Sequence, residues 1–483
     1  MNETTINKER SEARVMSNFS TALIATVVTM GVLIFSCSYI ILIQINQNIR
    51  TVLRSGRTKS FEWWRAQLMS LLKMLDDNRK KFSQVLKEDL NKCKSEGLLF
   101  EIDFTRNALV DSINKFKKWT TPQKAKKGLL YMMDKAYIRK EPFGVALIIG
   151  DWNYPVHLTI LPIVGAIAAG NCVELKPSEI SLNTAALLEE LVPKYLGQEA
   201  VQVVNGGIQE TTALLKERWD YIFYTGNLMV GKIVMKAAAE HLTPVTLELG
   251  GKSPVYVDED VDLGIVANRI MWGKCTNAGQ TCVAPDYVMC SKTTQEALTE
   301  AIKQTLQNFY PDGPAKSPDF CRIVSDKHTS NCFFFPYFLG GGRVAVGGDA
   351  KDEERYVSPT VLVDVKFSHS IMQDEIFGPT LPIIPVENED VAIDFINTGP
   401  IGNTPLTLYV FSNNTELRNK IMRETNSGSV CFKIYFKSVQ FTIFAIWRSG
   451  QQRLRYPPHT DDKYAKAAWF LGSGKQPKTG WFW

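Results

Sequence analysis

The sequence predicts an α/β protein in which helices cover a parallel sheet, followed by a second α/β unit and preceded by a transmembrane helix. From Pro142 onward, short apolar runs alternate with helical segments, which is typical of βαβ units. The alternation resumes from about Gly251 to Val430. Near the N-terminus, the uncharged apolar run Phe19–Ile43 is longer than the ~20 residues that cross a bilayer as a helix.

The composition is that of a folded protein and narrows the possible partners. Hydrophobic residues make up 45% and charged residues 22% of the chain, which is typical of a globular protein. The length of 483 residues is enough for about two domains. The net charge of +5 and the lack of a dense basic and aromatic stretch argue against nucleic acid. The nine cysteines include no C-x-x-C pair, and the five histidines are widely spaced, so no metal site is predicted. Unpaired thiols favour a reducing compartment such as the cytosol.

The N-terminal apolar run predicts a single-pass membrane anchor at residues 19–43, after a short segment of residues 1–18. A cleaved signal peptide competes with this interpretation, but the run is long for one and no clear A-x-A site follows. A buried core helix or a misassigned chain start are further alternatives. Basic residues are more frequent after the run than before it, which favours a cytosolic C-terminal side.

Residues from Val52 to Trp119 are predicted to be helical because apolar residues recur at helical spacing. The side chains expected to face the core are Phe61, Trp64, Leu68, Leu71, Leu72, Leu75, Phe82, Val85 and Leu86.

The first α/β unit is predicted from buried strands that alternate with helices. Its strands are GVALIIG (Gly144–Gly150), NCVELK, AVQVVNGG, WDYIFYTGN and VTLELGG. The helices between them are Leu158–Ala169, Ala185–Tyr195 and Val230–Glu240. Polar and glycine residues follow these strands: Asn153, Lys176, Gly206, Gly226 and Glu248. Ligands bind at the carboxyl ends of such strands, so this edge is the expected binding site.

The second unit is predicted to contain four strands: Tyr287–Cys290, Pro359–Val365, Pro382–Pro385 and Leu406–Phe411.

Cys282 is the candidate nucleophile. It ends the stretch Asn-Ala-Gly-Gln-Thr-Cys, whose small and polar residues let the backbone approach a ligand. A lone cysteine is more often an inert buried residue. Glu248, however, ends a strand beside two glycines, and a carboxylate there is poorly suited to packing alone. As a base it would activate a thiol or a water; as a structural residue it would be solvated or cap a helix.

Three other polar residues follow strand ends. The Asn153 side-chain amide suits donation to a developing oxyanion, although asparagine is also common in turns. Lys176 and Glu179, three residues apart, suit ribose hydroxyls or form a surface pair.

The segment from Gly226 to Lys232 fits the G-x-x-x-x-G-K pattern of a P-loop. Ile233 stands where a P-loop needs Ser or Thr for magnesium, so a nucleotide triphosphatase is not predicted. Glycines after a strand that open a helix still leave N–H groups free for a phosphate, as in a dinucleotide. A plain strand–helix turn is the alternative.

Six segments occur in order: WNYP, ELKPSE, YTGN, LELGGKSP, NAGQTC and EIFGP. Together they resemble the aldehyde dehydrogenase superfamily, and within it the class that includes fatty aldehyde dehydrogenase (family 3). The resemblance runs from about Val52 to Val430. It implies a Rossmann-like NAD-binding domain over residues 52–247 and an α/β catalytic domain over residues 248–430. NAD, or NADP in its place, is the implied cofactor.

The resemblance also implies the roles of individual residues. Cys282 matches the nucleophile, Glu248 the general base and Asn153 the oxyanion-binding amide. The residues that match the cofactor-binding positions are Lys176, Glu179, Gly226, Asn227, Gly231, Glu375 and Phe377. The implied reaction oxidises medium- or long-chain aldehydes to acids through a thiohemiacetal and a thioester. The anchor suits this substrate class, because lipid-derived aldehydes partition into bilayers, and the endoplasmic reticulum is the expected organelle.

Beyond Val430 the sequence departs from the family pattern. Residues 431–483 lack the family's PFGGVG stretch, which lines the substrate entrance and contributes to the bridging strands of the dimer. Lys433 stands where the family has asparagine. The homodimer that the family implies therefore loses part of its interface. The alternative hypothesis is a catalytically silent membrane-bound paralogue or isoform that binds nucleotide or partners.

Overall fold

The computed structural model describes residues 47–56, 58, 60–126, 128–129, 133–334, 341–399 and 404–432. The predicted anchor at residues 19–43, the tail after residue 432 and residues 335–340 lie outside this part of the chain. Within the residues described, no helix has both the length and the apolar character needed to cross a membrane.

Three long helices precede the first sheet: α1 (Phe61–Asp77), α2 (Arg79–Leu90) and α3 (Asp103–Thr120). A short helix, Lys94–Glu96, and a π-helical turn, Gly97–Ile102, lead directly into α3. The predicted core residues Trp64, Leu68, Leu71, Leu75, Phe82 and Leu86 are buried, while Phe61, Leu72 and Val85 are partly buried against them. A two-stranded antiparallel ribbon, β1 (Gln123–Lys124) with β2 (Tyr137–Ile138), follows.

The first sheet has five parallel strands in the order β5-β4-β3-β6-β7. They are β3 (Val145–Ile149), β4 (Cys172–Lys176), β5 (Val201–Val203), β6 (Tyr221–Gly226) and β7 (Val245–Leu249). The helices that connect them are α4 (His157–Ala168), α5 (Leu182–Tyr195), α6 (Ile208–Lys216) and α7 (Leu228–Glu240). Residues of α4 and α5 pack in one core cluster and residues of α6 and α7 in another, so helices cover both faces.

The second sheet has seven strands in the order β10-β13-β14-β9-β8-β15-β16, and only β10 runs antiparallel to its neighbour among them. They are β8 (Pro254–Val257), β9 (Tyr287–Cys290), β10 (Arg343–Val346), β13 (Thr360–Val363), β14 (Thr380–Pro385), β15 (Thr407–Phe411) and β16 (Ser429–Phe432). β11 (Ala350–Lys351) and β12 (Tyr356–Val357) form a separate ribbon. The helices of the second α/β unit are α8 (Leu263–Cys275), α9 (Lys292–Phe309), α10 (Asp326–Phe334), α11 (Glu389–Thr398) and α12 (Thr415–Glu424).

Glu174, in the middle of β4, is fully buried, and neither carboxylate oxygen has a hydrogen-bond partner. Burial raises the pKa of this carboxyl to about 8. When the pKa of a carboxyl is higher in the folded than in the unfolded state, its contribution to the free energy of unfolding is greatest at acid pH. This stability declines as the pH rises from the unfolded value through the folded one.

We therefore expect Glu174→Leu to stabilise the protein more at pH 8.5 than at pH 5, by ~3 to 5 kcal/mol of unfolding free energy. Denaturant unfolding at both pH values would measure this difference, with the exposed Glu240→Leu as control. A stability change of equal size at the two pH values would contradict the ionisation of Glu174 as its cause.

Candidate active site

The strand order brings the predicted site residues to one edge of the first sheet. β3 and β6 are neighbours at the centre, with β4 and β7 outside them. Because all five strands are parallel, their carboxyl ends share this edge, where Asn153, Lys176, Gly226 and Glu248 lie. Glu248 pairs in register with Thr225 of β6.

The segment that carries Cys282 follows α8 as a 3-10 turn, Thr276–Gly279. Asn277 and Ala278 adopt left-handed φ values of 53° and 51°. Gly279 follows with φ 74°, and a Cβ there would overlap the carbonyl of Gly378. Glycine is therefore required for the nucleophile segment to lie against the EIFGP segment.

The Asn153 side chain contacts the same segment. Its Nδ2 donates to the carbonyl of Gln280 at 3.0 Å, two residues before Cys282. Asn153 is 2% exposed, and its Oδ1 has no hydrogen-bond partner. The hydroxyls of Tyr154 and Thr281 lie 2.8 Å apart and make a second link between these segments. The amide of Asn153 is thereby held close to the backbone of the candidate nucleophile.

The charges of three carboxylates act on the thiol of Cys282. Partial burial desolvates this thiol, and the charges of Glu375, Glu248 and Asp151 act in the same direction, so the pKa of the thiol is raised well above its usual value. The thiol is consequently protonated at neutral pH, and its activation needs a base. Glu248, predicted from the sequence to be that base, is one of these carboxylates.

Asp151 was not identified from the sequence as a site residue. Burial and the nearby charge of Glu179 raise the pKa of Asp151 to about 7, while a hydrogen bond from the Trp152 backbone N–H (2.8 Å) opposes the rise. Its only sequence signal is its position two residues after the end of β3, next to the WNYP segment. Its charge acts on the thiol of Cys282 and is itself acted on by the charge of Glu179.

The turn between β6 and α7 forms a backbone cradle. Gly226 has φ 154°, and a Cβ there would overlap the ring of Tyr224. The Asn227 side chain caps α7 by accepting a hydrogen bond from the N–H of Val230 at 2.9 Å. A Cβ on Gly231 would approach the Leu249 side chain to 2.7 Å. These residues keep the helix start close to β7, with backbone N–H groups suited to a phosphate.

The other residues predicted to bind the cofactor lie on both sides of this turn. Lys176 is buried and forms an ion pair with the partly exposed Glu179. The Glu375 carboxylate lies where a Cβ of Gly250 would be. Phe377 has φ 48°, and its ring centroid lies 5.3 Å from that of Trp152. The buried Thr225 hydroxyl has no partner. A dinucleotide fits this arrangement. The backbone N–H groups of the β6–α7 turn suit its phosphates, and the Thr225 hydroxyl and the Lys176–Glu179 pair offer further polar groups.

Gly206 packs at the start of α6 and is not part of the candidate site. A Cβ on Gly206 would overlap the Glu210 side chain, whose carboxylate accepts the N–H of Gly207 at 2.8 Å. This glycine therefore serves the start of α6.

Known proteins resemble this chain in sequence and in fold. The family described as "Aldehyde dehydrogenase family" matches residues 55–445, past the predicted end of the resemblance at Val430. Aldehyde dehydrogenase family 3 member B1 of Rattus norvegicus is 49% identical over 385 residues, 80% of this chain and 81% of that protein. The substrate-bound state of Staphylococcus aureus AldH has a TM-score of 0.80 and 37% identity, covering 82% of this chain and 86% of its own. A Mycobacterium tuberculosis aldehyde dehydrogenase complexed with NAD+ has a TM-score of 0.72 and 26% identity, with coverages of 82% and 83%.

Proposed function

This chain belongs to the aldehyde dehydrogenase family and is an NAD(P)-dependent oxidoreductase. We propose that it oxidises medium- or long-chain aliphatic aldehydes to carboxylic acids through a covalent intermediate on Cys282. The observation that carries the proposal is the hydrogen bond between Asn153 and the nucleophile segment, and the charge of Glu248, which acts on the pKa of the thiol, supports it. The match to aldehyde dehydrogenase family 3 member B1 over 80% of the chain favours the active enzyme over a silent isoform.

In this proposal Glu248 removes the proton of the Cys282 thiol, and the thiolate attacks the aldehyde carbon. The carbonyl oxygen becomes an oxyanion, and the side-chain amide of Asn153 donates to it. One amide N–H of Asn153 is used by Gln280, and the second has no acceptor among the described residues. A preorganised donor of this kind is worth about 3 kcal/mol to the transition state.

The cofactor is NAD, as in the Mycobacterium tuberculosis relative. Its pyrophosphate would lie on the N–H groups between Gly226 and Gly231, its adenosine ribose at Lys176 and Glu179, and its nicotinamide half at Glu375 and Phe377. When bound, it accepts the hydride that leaves the thiohemiacetal carbon. The acidic Glu179 suits an unphosphorylated ribose, so NAD is the expected preference over NADP.

The thioester that remains on Cys282 is then hydrolysed. Glu248 first releases to solvent the proton that it took from the thiol, and it then takes a proton from a water as the water attacks the thioester carbon; the thiolate leaves as the acid forms. One carboxylate thus serves both halves of the reaction, because each half needs a proton acceptor beside the same sulfur atom.

We propose residues 52–247 as the cofactor-binding domain and residues 248–430 as the catalytic domain, with Glu248 at the division between them. We also propose that residues 19–43 anchor the chain in a membrane, with the catalytic part in the cytosol at the endoplasmic reticulum. The uncharged run and the basic residues after it support this arrangement. A membrane location brings the site close to aldehydes that dissolve in the bilayer.

Detergent-solubilised full-length protein would test the substrate class through NADH formation from saturated aldehydes of increasing length. We expect kcat/KM to rise with chain length by ~10-fold for every two methylenes buried, until the binding site is filled. A matched series of acids added as competitors would separate binding from turnover. A kcat/KM that falls from the shortest aldehyde onward would contradict the proposed substrate class.

A further inference from the structure

A buried ion pair lies behind the segment that carries Asn153. The Nζ of Lys92 is 2.7 Å from Oε1 of Glu101, and both side chains are fully buried. Lys92 follows α2, and Glu101 lies in the π-helical turn before α3. Both residues therefore reach the sheet edge from the N-terminal helices, outside the strands that form the candidate site.

Lys92 also contacts the two residues that face the nucleophile segment. Its Nζ donates to the backbone carbonyl of Asn153 at 2.8 Å and lies 4.0 Å from the centroid of the Tyr154 ring. The Asn277 side chain donates to the same carbonyl at 2.9 Å. The peptide after Asn153 is thereby fixed by a charged donor on one side and by the nucleophile segment on the other.

Glu101 fixes the other end of the same segment. Its Oε2 accepts the backbone N–H groups of Val156 at 3.1 Å and His157 at 3.0 Å, where α4 begins. The pair therefore spans the segment from Asn153 to His157. Burying two charges costs desolvation energy that their attraction often fails to recover, so stability alone is a weak reason for this pair.

We propose that Lys92 is a positioning residue for catalysis: it fixes the oxyanion-binding amide of Asn153 through the backbone carbonyl, while Glu101 holds the lysine ammonium group in place. The inference rests on the oxyanion role proposed above for Asn153. A donor that is displaced by about 1 Å from its productive position loses much of its effect, of the order of 100-fold in rate.

A double-mutant cycle of Lys92→Met and Asn153→Ala tests this inference in the full-length enzyme. We expect Lys92→Met to lower kcat about 10- to 100-fold while the affinity for NAD stays unchanged. In the Asn153→Ala background, which itself loses about 100- to 1000-fold, the same substitution should cost less than about twofold. A purely structural role would lower both backgrounds equally. Lys81→Met, which removes an exposed pair with Glu190, is the matched control and should leave kcat unchanged.

Lys92→Met leaves Glu101 without its cation, so Lys92→Met/Glu101→Gln provides a neutral pair if the single variant does not fold. If that also fails to fold, Lys92→Arg keeps the charge but moves the donor, and the same cycle applies. Equal losses in both backgrounds, or an unchanged kcat in a folded variant, would overturn the positioning role alone. An Asn153→Ala enzyme with unchanged kcat would overturn the oxyanion role as well.

Discussion

Replacement of Cys282 by alanine is expected to abolish aldehyde oxidation, with kcat/KM at least ~10⁴-fold lower. The substitution removes the sulfur that forms the thiohemiacetal and the thioester, and the surrounding carboxylates offer no comparable nucleophile. NADH formation measures the loss. The dissociation constant for NAD should change little, because the predicted cofactor contacts come from other residues.

Cys431→Ala is the matched control, since this half-buried cysteine lies in β16 at the edge of the second sheet. Its kcat/KM should equal that of the unaltered enzyme. A Cys282→Ala enzyme that retains more than about a hundredth of the activity would show that another group forms the covalent bond.

Replacement of Glu248 by glutamine is expected to lower kcat by about 10²- to 10⁴-fold. Glutamine keeps the shape of the side chain but cannot accept a proton, so both the formation of the thiolate and the hydrolysis of the thioester become slower. Loss of this negative charge should also lower the pKa of the Cys282 thiol, because Glu248 is one of the charges that raise it. The pH dependence of thiol alkylation should therefore move to lower pH.

Glu240→Gln, on the exposed end of α7, is the control for the second substitution and should leave kcat unchanged. Turnover by Glu248→Gln at the rate of the unaltered enzyme would remove Glu248 from the mechanism. An alkylation profile that does not move would place its carboxylate too far from the thiol to act as the base.

The first sheet was predictable because parallel strands buried on both faces appear in a sequence as continuous apolar runs. The run Gly144–Gly150 became β3 (Val145–Ile149), and the helix predicted at Leu158–Ala169 begins one residue earlier. The family assignment is confirmed by the family match and the relatives. Asn153, Lys176, Gly226 and Glu248 could be proposed as site residues because they lie at or soon after the carboxyl ends of these strands, whereas Glu375 and Phe377 were proposed from the family resemblance. Cys282 was proposed from the small and polar residues before it and from the same resemblance.

The second sheet was predicted less completely. Four strands were expected, and β8, β10 and β16 were missed. β8 begins at Pro254 and is only four residues long, and β10 and β16 are short edge strands. Such segments carry little periodic signal, and their place in the sheet depends on tertiary contacts.

The pair behind Asn153 could not be found from the sequence. Lys92 and Glu101 lie in a charged helical region, where such side chains are usually solvated. Only the fold shows that both are buried and reach the segment after β3. The P-loop pattern, in contrast, is visible in the sequence but has no counterpart in the fold. Lys232 matches the pattern but is exposed on α7, while Asn227 caps the helix.

Intact-protein and peptide mass spectrometry of the Glu248→Gln enzyme, mixed with NAD and a long-chain aldehyde, tests the covalent mechanism most directly. At an alkaline pH, where the thiol ionises without its base while hydrolysis remains slow, we expect one acyl group per chain, on the peptide that contains Cys282, with one NADH formed for each group. NADH formation with Cys282 unmodified, or acylation of a different residue, would contradict a covalent intermediate on Cys282.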